Sequence, residues 1–218
     1  MACRWKIERE WEGETCAVLA SGPSMTQEVA DFVKGKCRTI AINTTYKLAP
    51  WADILYAADR EWWSGHPEAL KFQGRKVSIL GNVNSAMEFD ELSYLENGGY
   101  GLLDPRSTHL RTGKNSGYQA MHIAVHLGVK RILMCGLDMR PVDGKEHWHG
   151  DHPEGVRKTM PYETWRSLFN QCAPFLRARG VEVVNCTLDS ALHCFKKQRL
   201  EEALESVLSD KGHAVLSA

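Results

Sequence analysis

The densest group of chemically capable side chains in the chain is His147-Trp148-His149-Gly150-Asp151-His152. In an extended segment His147 and His149 face the same way, which is the geometry of paired metal ligands, and Asp151 or His152 could complete such a site. An imidazole also suits general-base work, because its ordinary pKa near neutrality lets it take a proton from an attacking hydroxyl. The plain alternative is a solvated loop. A second polar group, Ser21-Gly22-Pro23-Ser24, combines a flexible glycine, a φ-locked proline and a capping serine just before a helical pattern. Free N–H groups and the positive end of the dipole at a helix start suit an anion such as phosphate. The segment is neither GxGxxG nor GxxxxGK[ST], so a dinucleotide fingerprint and a Walker loop are both excluded, and an ordinary strand-to-helix turn is the plain reading. Asn115-Ser116-Gly117 opens a helix in the same manner. Asn43 could hydrogen-bond a ribose or phosphate, or make an Asx turn. Asp59 and Asp138 could hold Mg²⁺ or bind hydroxyls, or cap strand ends. His122 and His126 have the i,i+4 spacing of a zinc pair but no HExxH pattern, so a helix face is the better reading. Trp62-Trp63 could stack on a base or sugar, although packing against a sheet is preferred. Cys135 closes an apolar strand with no paired base, which argues against a nucleophile.

Short apolar runs alternating with amphipathic stretches supply the elements that must hold these groups. Strands are predicted over 15–20, 38–42, 53–57, 76–80, 131–135 and 181–186, and helices over 25–34, 116–127, 162–179 and 198–209. Residues 84–114 show no clear pattern. The polar stretch 139–161 is too long for a routine connection and reads as a lid or binding loop. This alternation predicts one α/β domain over 1–218, Rossmann-like and doubly wound, with a mainly parallel sheet and helices on both faces. Ligands of such sheets bind beyond the carboxyl ends of the strands, where Ser21, Asn43, Asp59, Asn115 and Asp138 all fall.

Composition narrows the function classes. Of 218 residues, 27 are Lys or Arg and 27 are Asp or Glu, so the formal charge is zero and the general attraction to phosphate that a basic nucleic-acid binder uses is missing. A hydrophobic fraction of 43% with 25% charged residues is globular rather than disordered. No apolar run approaches the ~18 residues of a membrane span, and the first residues lack the apolar core of a signal peptide. Seven cysteines without a CxxC pair read as reduced thiols, which predicts a cytoplasmic protein.

Three segments resemble a known family. Ala20-Ser21-Gly22-Pro23-Ser24-Met25 is similar to the Gly-Asn-Gly-Pro-Ser-Leu start of bacterial sialyltransferases of the Campylobacter lipooligosaccharide type. Asn43-Thr44-Thr45-Tyr46 falls where that family has Asn-x-x-Tyr, and residues 115–138 resemble its Thr-Ser-Gly helix and following Gly-Ile-Asp strand. The likeness covers about residues 15–60 and 112–140. The wider DUF115-like clan includes 6-hydroxymethylpterin diphosphokinase, with a similar Gly-Pro-Ser turn. Small bacteriophage proteins of this type carry a His-Trp-His-Gly-Asp-His stretch and a Ser-Ala-Leu-x-Cys-Phe segment, here residues 190–195. The resemblance implies that Ser21, Gly22, Pro23, Ser24, Asn43, Asn115, Ser116 and Gly117 cradle a nucleotide. It further implies that His147 or His149 deprotonates the acceptor, that Tyr162 contacts the leaving phosphate, and that no metal is needed.

The expectation is therefore a nucleotide-dependent transferase, foremost a glycosyltransferase with a nucleotide-sugar donor and no bound metal. His147, His149, Asp151 and Tyr162 are its catalytic candidates. Alternatives are a diphosphokinase using Mg²⁺ held by Asp59 and Asp138, and a phage nucleotide-binding protein without catalysis. The acceptor, a saccharide or a nucleotide, and a homo-oligomeric state are left open.

Overall fold

The computed structural model describes residues 3–81, 89–150 and 160–205. Its strands are β1 (Cys3–Arg4), β2 (Thr15–Leu19), β3 (Arg38–Ile42), β4 (Ile54–Tyr56), β5 (Arg75–Ile79), β6 (Ser93–Asn97), β7 (His109–Leu110), β8 (Arg131–Cys135), β9 (Glu182–Asn185) and β10 (Lys196–Lys197). They form one sheet in the order β1-β6-β5-β4-β3-β2-β8-β9-β10, with β7 also paired alongside β6. Every strand pair in it is parallel. The reason is visible in β2, whose five residues are all buried: Cys16 and Val18 enter one core and Ala17 and Leu19 the other. A strand covered on both faces reads as a continuous apolar run, which is the mark of a parallel sheet between helices.

The helices are α1 (Gln27–Val33), α2 (Arg60–Gly65), α3 (Ser116–His126) and α4 (Tyr162–Ala178). α1, α2 and the helical residues 200–205 pack on one face, and α3 and α4 on the other. This is the doubly wound α/β architecture. From β2 the chain works outward through β3, β4, β5 and β6, and after α3 it returns to β8 on the opposite flank of β2. The order thus reverses between β2 and β8, and the loops leaving their carboxyl ends diverge to opposite faces, which opens a crevice there.

Two expectations need correction. The first helix begins at Gln27 rather than 25, because Thr26, not Ser24, is its cap: the Thr26 hydroxyl accepts from the Val29 amide at 3.4 Å. Strands β1, β6, β7 and β10 carried no sequence signal, since each is short or polar and exists only through its pairing; β6 lies within the stretch that showed no pattern.

Candidate functional site

The turn after β2 and the turn after β8 are locked together. The Gly22 amide donates to the Gly136 carbonyl at 2.9 Å and the Met25 amide to the Gly22 carbonyl at 3.0 Å. The Ser24 amide and hydroxyl both donate to Asp138 Oδ2, at 3.2 and 2.9 Å. A Cβ on Gly22 would fall on the Gly136 carbonyl oxygen and the Asp138 carboxylate, so only glycine fits. The Gly22, Ser24 and Met25 amides have internal acceptors and Pro23 has no N–H, so these positions offer no free amide to an anion. The position where a phosphate was expected holds the protein's own carboxylate. Asp138 is 3% exposed, and burial raises its pKa against the opposing pull of the Ser24 donors.

The β8 turn is fixed from its other side by residues that sequence reasoning missed. Thr187 Oγ1 accepts from the Leu137 amide at 3.1 Å, Ser190 Oγ donates to the Leu137 carbonyl at 2.6 Å, and the Ala191 amide donates to the Asp138 carbonyl at 2.8 Å. The only available signal was the Ser190 that heads the 190–195 segment. Against the same turn lies the start of α3. Asn115 caps it by accepting from the Tyr118 amide at 3.0 Å. Helix geometry leaves the Ser116 and Gly117 amides without an acceptor inside the helix. Gly117 sits on Leu137, whose Cδ1 would be 2.9 Å from a Cβ there. The two helix beginnings therefore share one rim and flank one turn.

The histidine segment reaches the same place, although not as an extended strand. The Gly150 amide donates to the His147 carbonyl at 3.3 Å, which closes a turn and stacks the His147 and His149 rings 5.1 Å apart at 6°. The turn is fastened over β2: the Trp148 amide donates to the Ser21 carbonyl at 3.2 Å, and His147 Nδ1 lies 3.3 Å from that same oxygen. The Trp148 indole N–H donates to Thr45 Oγ1 at 3.1 Å, and the Thr45 hydroxyl donates onward to the Ala20 carbonyl at 3.2 Å. Asn43 opens the 3₁₀ turn Asn43–Lys47 with φ +49°, a left-handed conformation that asparagine tolerates better than most residues. Tyr162, first residue of α4, has its hydroxyl pKa pushed up to about 12 by burial, with the charges of Glu146 and Asp138 adding to the shift. It stays a protonated donor at neutral pH. Behind it the Trp165 indole N–H is buried and meets no acceptor among the described residues.

Other candidates fall elsewhere. Asp59 is exposed at the end of β4, three strand spacings from Asp138 across β3 and β2, or roughly 14 Å, so one cation cannot bridge the two. His122 and His126 are not a zinc pair. His122 Nδ1 accepts from the Arg111 amide at 3.2 Å and its Nε2 lies 3.3 Å from the Asp104 carbonyl, while His126 Nε2 is 3.2 Å from the His109 carbonyl. Burial holds the His122 pKa down to about 3, so the ring is a neutral pin between α3 and the 104–111 loop. Trp63 is core, its indole N–H on the Ala57 carbonyl at 3.0 Å; half-buried Trp62 stacks on His66. Asp151 and His152, like the rest of 151–159 in the predicted lid, lie outside the described residues. Among the described residues, no three His, Cys, Asp or Glu side chains are grouped to hold a metal ion, and none of the helices is long and apolar enough to cross a membrane. The chain matches no protein-family model, no curated protein and no solved structure.

Proposed function

We propose that this protein is a nucleotide-dependent transferase, of the glycosyltransferase kind, working at the crevice between β2 and β8. The observation that carries the reading is the fastening of the His147–His149 turn onto Ser21 and Thr45, which sets two imidazoles over the same rim as the α3 amides. In the proposed mechanism the Ser116 and Gly117 amides and the α3 dipole hold the phosphate of a nucleotide-sugar donor and stabilise its charge as the glycosidic bond breaks. One loop imidazole takes the acceptor hydroxyl's proton, a contribution of about 10²–10⁴-fold. The Tyr162 hydroxyl, kept protonated, donates to the departing phosphate.

Asp138 favours a second reading. A carboxylate beside the phosphate site repels an anion unless a cation lies between them, and Mg²⁺ is ordinarily held by one or two carboxylates together with substrate phosphates. In this reading Asp138, without Asp59, would carry the ion of a phosphotransferase of the diphosphokinase type.

A thermal-shift screen with CMP-, UDP-, GDP- and ADP-linked ligands, with Mg²⁺ or EDTA, tests both. A true ligand at 100 times its Kd stabilises by about 2.7 kcal/mol. Binding that survives EDTA, with product release lost in His147→Ala or His149→Ala, supports the glycosyltransferase; strict Mg²⁺ dependence supports the second reading. Tight binding without product marks a non-catalytic nucleotide binder, and no shift with any nucleotide refutes the site.

A further inference from the structure

On the α1 side of the β8 turn, a cavity of 130 Å³ is lined by Ser24, Cys135, Gly136, Cys186, Thr187 and Asp189, among others. Two thiols meet in it. Met134 and Asn185 are register partners on β8 and β9, and the Cys186 amide donates to the Met134 carbonyl at 2.8 Å, so Cys135 and Cys186 are the next residues side by side. Adjacent parallel strands lie about 4.8 Å apart. Both side chains turn to the same core face. Cys135 is 2% exposed, whereas Cys186 is half-buried and lines the opening.

We propose that Cys135 and Cys186 form a reactive dithiol that closes to a disulfide by exchange with a small-molecule disulfide such as oxidised glutathione. The Cys186 thiolate attacks one sulfur of the reagent, forming a mixed disulfide and releasing one thiolate. Cys135 then loses its proton and attacks Cys186 Sγ, which expels the second thiolate. The balance is two protein thiols plus one disulfide giving one protein disulfide and two small thiols. The Cα spacing is within the 4.4–6.8 Å range that a disulfide spans. In-register parallel neighbours, however, hold their Cβ atoms near the strand spacing, beyond the roughly 3.5–4.5 Å that a relaxed bond prefers. Such a bond is strained and easily reduced, the property of a regulatory disulfide rather than a structural one. It would tie the ends of β8 and β9 directly beneath Gly136 and Asp138. The inference does not depend on the ligand of the crevice.

The test treats folded full-length protein with oxidised glutathione and maps tryptic peptides by mass spectrometry. The expected product is a mass loss of two hydrogens and a cross-link between peptides 132–145 and 180–196, reversed by dithiothreitol. Peptide 180–196 also contains Cys194, so two variants assign the bond: Cys186→Ser abolishes the cross-link and Cys194→Ser keeps it. A cross-link that survives Cys186→Ser, a stable glutathione adduct on Cys186 without closure, or seven unmodified thiols would each overturn the proposal.

Discussion

Replacing Asp138 by Asn separates the readings of the crevice by the sign of its effect. The substitution keeps an oxygen for the Ser24 amide and hydroxyl, which now bond Oδ2 at 3.2 and 2.9 Å, and removes the charge by exchanging the other oxygen for an NH2 group. A ligand phosphate resting against this turn would lie about 6 Å from the carboxylate. At an effective dielectric of about 20, like unit charges at that distance repel by about 3 kcal/mol, or roughly 100-fold in affinity. If the phosphate binds without a cation, isothermal titration calorimetry in EDTA should show the variant binding nucleotide on the order of 100-fold more tightly. If Asp138 holds Mg²⁺, the variant should lose Mg²⁺-dependent binding by a comparable factor. Unfolding does not confound the assay. Burial raises the Asp138 pKa in the folded state, so ionisation destabilises the fold as pH rises above the unfolded value, and the amide relieves that cost at pH 7. Equal affinities of wild type and variant, both in Mg²⁺ and in EDTA, would refute a ligand phosphate beside this turn.

Three further outcomes follow from the packing of the rim and of the 104–111 loop. Gly22→Ala drives a methyl into the Gly136 carbonyl and Asp138; it should cost about 1–3 kcal/mol in urea unfolding, and an unchanged midpoint would show that the turn yields freely. Thr45→Val strips the acceptor of the Trp148 indole N–H and the donor to the Ala20 carbonyl. The loss should be about 1–3 kcal/mol, with faster hydrogen exchange at the Trp148 indole as the local readout. His122 takes up a proton in the unfolded chain at its ordinary pKa of 6.5 but in the folded state only near 3. Its stabilising contribution is therefore complete above pH 6.5 and lost progressively as pH falls toward 3. Urea unfolding should show about 2 kcal/mol less stability at pH 5 than at pH 7 from this residue, and His122→Asn should flatten that slope. Asp104, held by Arg106 and Arg111 well below the usual carboxylate range, loses its own contribution only in more acid solution.

Strands that are buried on both faces announce themselves in one dimension, so β2, β3, β8 and β9 and the doubly wound class were legible from apolar runs such as 15–19 and 131–135. The Asn115 cap was legible as well, because capping is settled within three residues of the cap itself. What the sequence could not supply is any quantity that depends on two distant segments meeting. That Ser24 spends its donors on Asp138, 114 residues away, is invisible locally, and it turns an expected anion cradle into an occupied one. Asp59 and Asp138 are alike as strand-end carboxylates, and only the strand order sets them too far apart to share a cation. His122 and His126 have zinc spacing in the sequence, but the backbone of 104–111 claims their nitrogens. Local propensity and periodicity act over a turn or two of chain and so are written in the sequence; hydrogen-bond partners, burial and charge proximity are properties of the packed interior and come into being only when the sheet is assembled.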